Sequence, residues 1–116
     1  MDSRLVQVFR NLITNAMTFS PPGGSIRITA QRDRKTVVVT VDDDGPGIPP
    51  GKEEAIFQRF YTERPQGEKF GTHSGLGLSI SQQIVTAHEG TIVASNRLGP
   101  DGKAIGARFT VTLPAA

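Results

Sequence analysis

The 116-residue sequence has no cysteine and no tryptophan, one tyrosine and six phenylalanines. Without cysteine, disulfide frameworks, Cys-ligated zinc, iron–sulfur clusters and thiol catalysis are all excluded. With so few aromatics and no basic–aromatic alternation, a nucleic-acid module is disfavoured. Neither sign of charge dominates. Lys and Arg number 13 against 11 Asp and Glu, a net charge of +2 that permits an anionic ligand without demanding a polyanion. The longest strictly aliphatic run is Val37-Val38-Val39, so nothing here spans a membrane, and no apolar h-region follows Met1 to mark a signal peptide. Several nucleotide and metal signatures are also missing. Gly51-Lys52 and Gly102-Lys103 lack the upstream glycine and the Ser/Thr of a Walker A loop. No G-x-G-x-x-G follows a strand, no HRD or DFG occurs, and His88-Glu89 continues into Gly90-Thr91 rather than H-E-x-x-H.

What is present in excess is turn-forming residue: 13 glycines and 8 prolines. Most fall in three clusters, Pro21 to Gly24, Gly45 to Gly51 and Pro65 to Gly77, and loops so loaded are where sites are built. Between them the patterning is regular. Leu5, Val8, Phe9, Leu12, Ile13 and Ala16 recur at helical spacing, with Ser3 as a cap and Pro21-Pro22 as the stop. Ser25 to Gln31 alternates apolar and polar residues, which predicts a half-buried strand. Thr36 to Val41 is a β-branched run that predicts its buried hairpin partner. Glu53 to Phe60 reads as a short helix. Thr62 to Ser74 carries no period over roughly thirteen residues, a length that in a small domain signals a lid or disorder. A second long helix from Gly75 to His88 places Leu76, Ile80, Ile84 and Ala87 on its core stripe, with Gly90 as the C′ stop. Thr91 to Ser95 and Ala107 to Leu113 read as strands. This order predicts one α+β domain, an antiparallel or mixed sheet with helices on one face.

Three constellations carry chemistry. Asn11 and Asn15 sit one helical turn apart on the flank of the apolar stripe, although Asn is a poor helix former. They are either satisfied polar groups at the core edge or oxygen ligands for a hard cation such as Mg²⁺. Asp42 to Pro49 (DDDGPGIP) follows the most hydrophobic strand. It is either an Asp/Gly/Pro turn or a carboxylate placed to accept from an exocyclic amine, with Gly45 and Gly47 letting backbone approach a ligand. Gly71 to Leu78 opens the second long helix. Its glycines make either a flexible entry or a phosphate site built from free N–H groups.

In this order the three constellations resemble the ATP-binding catalytic domain of bacterial sensor histidine kinases, a family shared with gyrase B, the ninety-kilodalton heat-shock chaperone and MutL. Arg4 to Ala16 looks like the N box, Asp43-x-Gly45-x-Gly47-Ile48 like the first glycine box, Ile56 to Tyr61 like the F box, and Ser74 to Ile80 like the second glycine box. The resemblance covers nearly the whole chain. It implies a Bergerat-type two-layer α/β sandwich with a mixed, mostly antiparallel sheet. It also implies ATP and Mg²⁺ as cofactors. By position, Asn15 with Asn11 beside it would hold the metal. Asp43 would bond the adenine amine, and Phe19 and Ile48 would line the base pocket. Arg59 would face the phosphates, and Gly75, Leu76, Gly77 and Leu78 would contact them from the helix start. Thr62 to Ser74 would be the ATP lid, with Arg64 and Lys69 more simply read as solvated lid charges.

Three positions depart from the family pattern: Thr18 stands where Lys or Arg is common, His73 where Gly is common, and Ala107 where Thr is common. The strand that precedes the N box in the family is also missing. Residues 1–116 therefore read as a piece lacking that strand and the dimerisation and phosphoacceptor domain. Neither His73 nor His88 sits in a phosphoacceptor context. The implied function is to position the γ-phosphate of Mg·ATP for transfer to a histidine on that separate dimerisation domain, with a response regulator downstream. The expected place is the cytoplasmic part of a larger sensor kinase, with no membrane contact from this segment. Two other readings use the same fold: a non-catalytic nucleotide-sensing or interaction module, and a stand-alone Ser/Thr kinase.

Overall fold

A computed structural model describes residues 3–58 and 77–115. The elements in chain order are helix α1 (Ser3–Phe19), strands β1 (Arg27–Arg32) and β2 (Thr36–Asp42), a 3-10 turn (Ala55–Phe57), helix α2 (Gly77–Ala87), and strands β3 (Thr91–Leu98) and β4 (Ala104–Pro114). The strands form one sheet in the order β1-β2-β4-β3, and every pairing among the described residues is antiparallel. The architecture is α+β, with the helices on one face of the sheet.

Cross-strand register sorts the two faces. Val41 pairs with Phe109 and Ala94 with the same Phe109, while Ile92 pairs with Val111. These residues point toward the helices and are buried, together with Val8, Leu12 and Ala16 of α1 and Leu78 and Val85 of α2. Phe57 sends its ring edge-on to Phe109, with centroids 6.2 Å apart, and so closes the core beneath the 3-10 turn. The opposite face carries Thr40, Thr110, Thr112 and Val93, which are half-buried or exposed.

Four local expectations are corrected. β1 is exposed along its whole length, not half-buried, and Ile28 keeps 54% of its surface. Alternation tells which face a side chain takes. Covering that face needs a helix above it, and α1 packs over β2 while α2 packs over β3. On α2 the buried side is Gly77, Leu78, Ser79, Ser81, Ile84 and Val85, whereas Ala87 is exposed and Ile80 only half-buried. This helix is enclosed by the sheet and by α1, and its contact with α1 runs through a small hydroxyl side chain that apolar periodicity does not register.

At its C-terminus the left-handed residue is Glu89, with φ 63°, and not Gly90. The Gly90 amide closes onto the Val85 carbonyl at 2.9 Å. Gly90 is required by packing instead, because a Cβ there would overlap the Thr112 carbonyl and the Leu113 side chain. The segment read as a helix over Glu53 to Phe60 is a single 3-10 turn within the described residues. The strands β3 and β4 extend further than their β-branched runs, and that extension brings Asn96, Arg97 and Gly106 to the site.

Candidate functional site

The loop after β2 lies against the end of α1, where Gly45 meets Phe19, and the start of α2 lies against the middle of α1, where Gly77 meets Asn11. α1 stops at Pro21-Pro22, after the Ser20 amide has bonded the Ala16 carbonyl at 2.9 Å. Its last residue, Phe19, is half-buried, and its carbonyl lies so close to Gly45 that a Cβ on that glycine would come within 2.6 Å of the oxygen. Gly47 has φ 86°, and a Cβ there would meet Asn96 Oδ1 at 2.7 Å. Both glycines therefore make room for other parts of this protein.

The three consecutive aspartates separate by alternation. Asp42 pairs with Arg108 across the strands and belongs to the outer face. Its carboxylate takes two hydrogen bonds from that guanidinium, Nε to Oδ1 at 2.7 Å and Nη2 to Oδ2 at 2.9 Å. The bidentate contact with Arg108 holds Asp42 below the usual carboxylate range against the opposing effect of burial. Asp44 is likewise held low, first by the Ser25 amide at 2.8 Å and then by Arg97 at 3.0 Å. Both are structural.

Asp43 turns the other way, onto the helix side, and is buried. Burial pushes its carboxyl above the ordinary value, opposed by hydrogen bonds from the Gly45 and Ala107 amides and by the Arg97 charge. Those two amides donate to Oδ1 at 2.8 and 3.1 Å, and no described residue donates to Oδ2. A continued ladder would have the Ala107 amide bond the Asp43 carbonyl. Here the side chain takes that amide, and the freed carbonyl accepts from Arg97 Nη1 at 2.7 Å. Among the described residues one carboxylate oxygen is thus fixed by the backbone and the other receives no donor.

Asn11 and Asn15 are both buried, deeper than the half-buried flank read from their spacing. Asn11 Nδ2 donates to the Gly77 carbonyl at 3.4 Å and to Ser81 Oγ at 3.3 Å, both long contacts. With its amino end turned to α2, the Asn11 carbonyl oxygen receives no donor among the described residues. Among the described residues no cluster of three His, Cys, Asp or Glu exists that could hold a metal. A divalent ion here would therefore rely on neutral amide oxygens plus oxygens brought by a phosphate ligand, a donor set suited to Mg²⁺. The residues fit that ion.

Gly77 opens the described part of α2 and Leu78 is a core residue, so any contact they make with an anion comes from backbone N–H groups of the first turn. Ile48 is buried, with its amide accepted by Asn96 Oδ1 at 2.6 Å and its carbonyl bonded by Asn96 Nδ2 at 2.9 Å. Thr18 spends its hydroxyl on the Thr14 carbonyl at 2.9 Å, within its own helix. Arg59, Gly75 and Leu76 lie outside the described residues, as do the proposed lid with Arg64 and Lys69, and His73. A cavity of about 510 Å³ runs beside β3 under Glu53 and Glu54. None of its lining residues is a candidate, and the charged ones, Glu53 and Glu54, are acidic, which does not suit a polyphosphate.

Sequence reasoning missed Asn96, Arg97, Gly106 and Ser81. Only Gly106 left a signal, an isolated glycine inside a strand pattern, which marks close backbone approach. A Cβ on it would overlap the Asp43 carbonyl and press on Arg97 Nη1.

Comparison with known proteins gives the following. The model of the histidine kinase-, DNA gyrase B- and HSP90-like ATPase family matches residues 2–116. The chain is 51% identical to the sensor protein ChvG of Rhizobium meliloti (strain 1021), over 97% of this chain and 20% of that protein. Its fold is similar to that of the mycobacterial sensor histidine kinase MprB, with a TM-score of 0.82 and 34% identity over 97% of this chain and 70% of that one. It is also similar to the histidine kinase ThkA solved in complex with the response regulator protein TrrA, with a TM-score of 0.76 and 32% identity over 98% of this chain and 29% of that one. The chain thus spans about one-fifth of the length of ChvG.

Proposed function

The chain belongs to the histidine kinase-, DNA gyrase B- and HSP90-like ATPase family, and from that membership we propose that it is the ATP-binding catalytic domain of a larger sensor histidine kinase. Asp43 accepts the adenine amine, with Phe19 and Ile48 at the base. Gly75, Leu76, Gly77 and Leu78 contact the phosphates, Gly77 and Leu78 through backbone N–H groups at the start of α2. Arg59 adds charge. Asn15, with Asn11, holds Mg²⁺, which neutralises phosphate charge when bound. The observation that carries the reading is the buried Asp43 carboxylate, whose Oδ1 is fixed by two amides. A buried charge so held, with its second oxygen uncommitted among the described residues, is costly to a domain that has no ligand for it.

Catalysis in this reading is positioning and charge neutralisation, as phosphoryl transfer requires. The phosphoacceptor is a histidine on a separate dimerisation domain. His88, whose Nδ1 lies 2.8 Å from the Ile84 carbonyl, is read here as a structural residue at the end of α2. A response regulator takes the phosphoryl group next, and ThkA is a relative solved with one. The domain works on the cytoplasmic side, where ATP is available. No described helix is long and apolar enough to cross a membrane.

A nucleotide-sensing module without transfer is the second reading. It is favoured by Thr18, whose hydroxyl is turned into its own helix and supplies no charge to a phosphate. One experiment separates the two: this chain is mixed with a helical dimerisation domain carrying the acceptor histidine, γ-labelled ATP and Mg²⁺. Label on that histidine supports the kinase. Tight ATP binding with no label on it supports the sensing module.

A further inference from the structure

We propose that Asn96 and Arg97, adjacent near the end of β3, are positioning residues that grip the Asp43–Ile48 loop from its two sides and hold it ready for the nucleotide base. The proposal rests on the reading of Asp43 as the base-recognising carboxylate.

Successive residues of a strand point to opposite faces of the sheet, so two neighbours can reach both sides of one loop. Arg97 pairs with Gly106 and lies on the outer face, while Asn96 pairs with the buried Ala107 on the inner face. Arg97 Nη1 donates to the Asp43 carbonyl at 2.7 Å and to Asp44 Oδ1 at 3.0 Å. Its side chain is only 17% exposed, so these charge-assisted bonds are weakly screened. Asn96 treats Ile48 as a strand partner, accepting its amide at 2.6 Å and donating to its carbonyl at 2.9 Å. One residue thus fixes the start of the loop and its neighbour fixes the end.

Between those two points the loop contains two glycines and a proline and makes no ladder of its own. Holding it in advance removes ordering entropy that ligand binding would otherwise have to supply. The Arg97 contact also sets the aim of Asp43. Because the Asp43 side chain replaces its own carbonyl at Ala107, the carbonyl needs another donor, and the peptide that carries it determines where the Cα–Cβ bond points. Arg97 also places a cation near the Asp43 carboxylate. The charged groups facing that carboxylate are Arg97 from β3 and Asp44 from its own loop, while β4 offers the Ala107 amide.

The test uses a fluorescent ATP analogue, with adenosine as a phosphate-free competitor, titrated from neutral pH down toward 3.8 with and without Mg²⁺. Proteins compared are the parent, Arg97→Met, Arg97→Lys, Asn96→Ala and Asp43→Asn. Arg97→Met and Asn96→Ala are expected to weaken the ATP analogue and adenosine by the same factor, on the order of tenfold, independent of Mg²⁺. Arg97→Met also moves the acid limb of binding to higher pH, since protonation of Asp43 is no longer opposed by a cation. Arg97→Lys returns that limb toward the parent. An acid limb that stays in place in Arg97→Met overturns the proposal, as does a loss confined to the phosphate-bearing ligand. Loss of binding in Asp43→Asn, with parent affinity in Asn96→Ala and Arg97→Met, overturns the clamp alone. Parent affinity in Asp43→Asn overturns the site reading itself. Should Arg97→Met fail to fold, Asn96→Ala and Arg97→Lys carry the same comparison.

Discussion

Asp43 and Ala107 hold one another reciprocally: the Ala107 amide donates to the Asp43 carboxylate at 3.1 Å, and the Asp43 amide donates to the Ala107 carbonyl at 3.0 Å. A side chain has taken the place of a backbone carbonyl in the last rung between β2 and β4. That exchange buries a carboxylate at the site.

Asp43→Asn keeps the Oδ1 acceptor for both amides and removes the buried charge. The carboxyl is raised by burial, so its ionised form opposes folding. That penalty is complete above the folded-state pKa and disappears below the unfolded value. The variant is therefore expected to melt at higher temperature than the parent at neutral pH, with the difference closing as pH falls toward 3.8. Thermal melts across pH check this, and an equal or lower melting temperature at neutral pH contradicts it.

Gly106→Ala forces a methyl group against the Asp43 carbonyl and the Arg97 guanidinium. Backbone must move to admit it, and such overpacking costs about 1–3 kcal/mol. The displaced peptide is the one that aims Asp43, so nucleotide affinity falls along with stability. Denaturant unfolding and a binding titration on the same variant measure the two losses.

Arg108→Ala removes the bidentate partner of Asp42 from the outer face. Arg108 is 46% exposed, so solvent screens the pair and the expected cost is about 1 kcal/mol. Asp42 has a depressed pKa, so its contribution is present above the unfolded value and is lost as pH falls through the lower folded value. Parent and variant should differ at neutral pH and converge in acid, while nucleotide binding stays close to that of the parent.

Glu89→Gly relieves a left-handed backbone at φ 63° that an L side chain adopts at a cost. A gain of about 1 kcal/mol is expected, because only glycine enters this region freely. Equilibrium unfolding checks it. A loss of stability would mean that the Glu89 side chain contributes more than its backbone strain costs.

Much of this was legible in the order of residues, and what was not has a common cause. The α1 stripe predicted the burial of Val8, Leu12 and Ala16 because helical period depends only on local spacing. Asp43 was singled out through the resemblance of Asp43-x-Gly45-x-Gly47-Ile48 to the first glycine box, because an Asp/Gly/Pro run alone reads equally well as a turn. Its difference from Asp42 and Asp44 became visible only with the register, which sends one acid to the helix layer and two to arginines outside. Asn96 and Arg97 were silent because their partners lie far away in sequence, 48 residues for Ile48 and 54 for Asp43. Ile28 was misjudged for a different reason: its alternation was correct, but no local pattern tells whether a helix will cover an edge strand.

The central claim, that this domain takes ATP with its base at Asp43 and its metal at Asn15, is met most directly by one titration. A fluorescent ATP analogue is added to the parent, Asp43→Asn and Asn15→Ala, each with Mg²⁺ and with a chelator. Asp43→Asn is expected to abolish binding in both conditions, since an amide nitrogen then faces the adenine amine. Asn15→Ala is expected to lose only the part of the affinity that depends on Mg²⁺. Parent-like affinity in both variants would contradict the account.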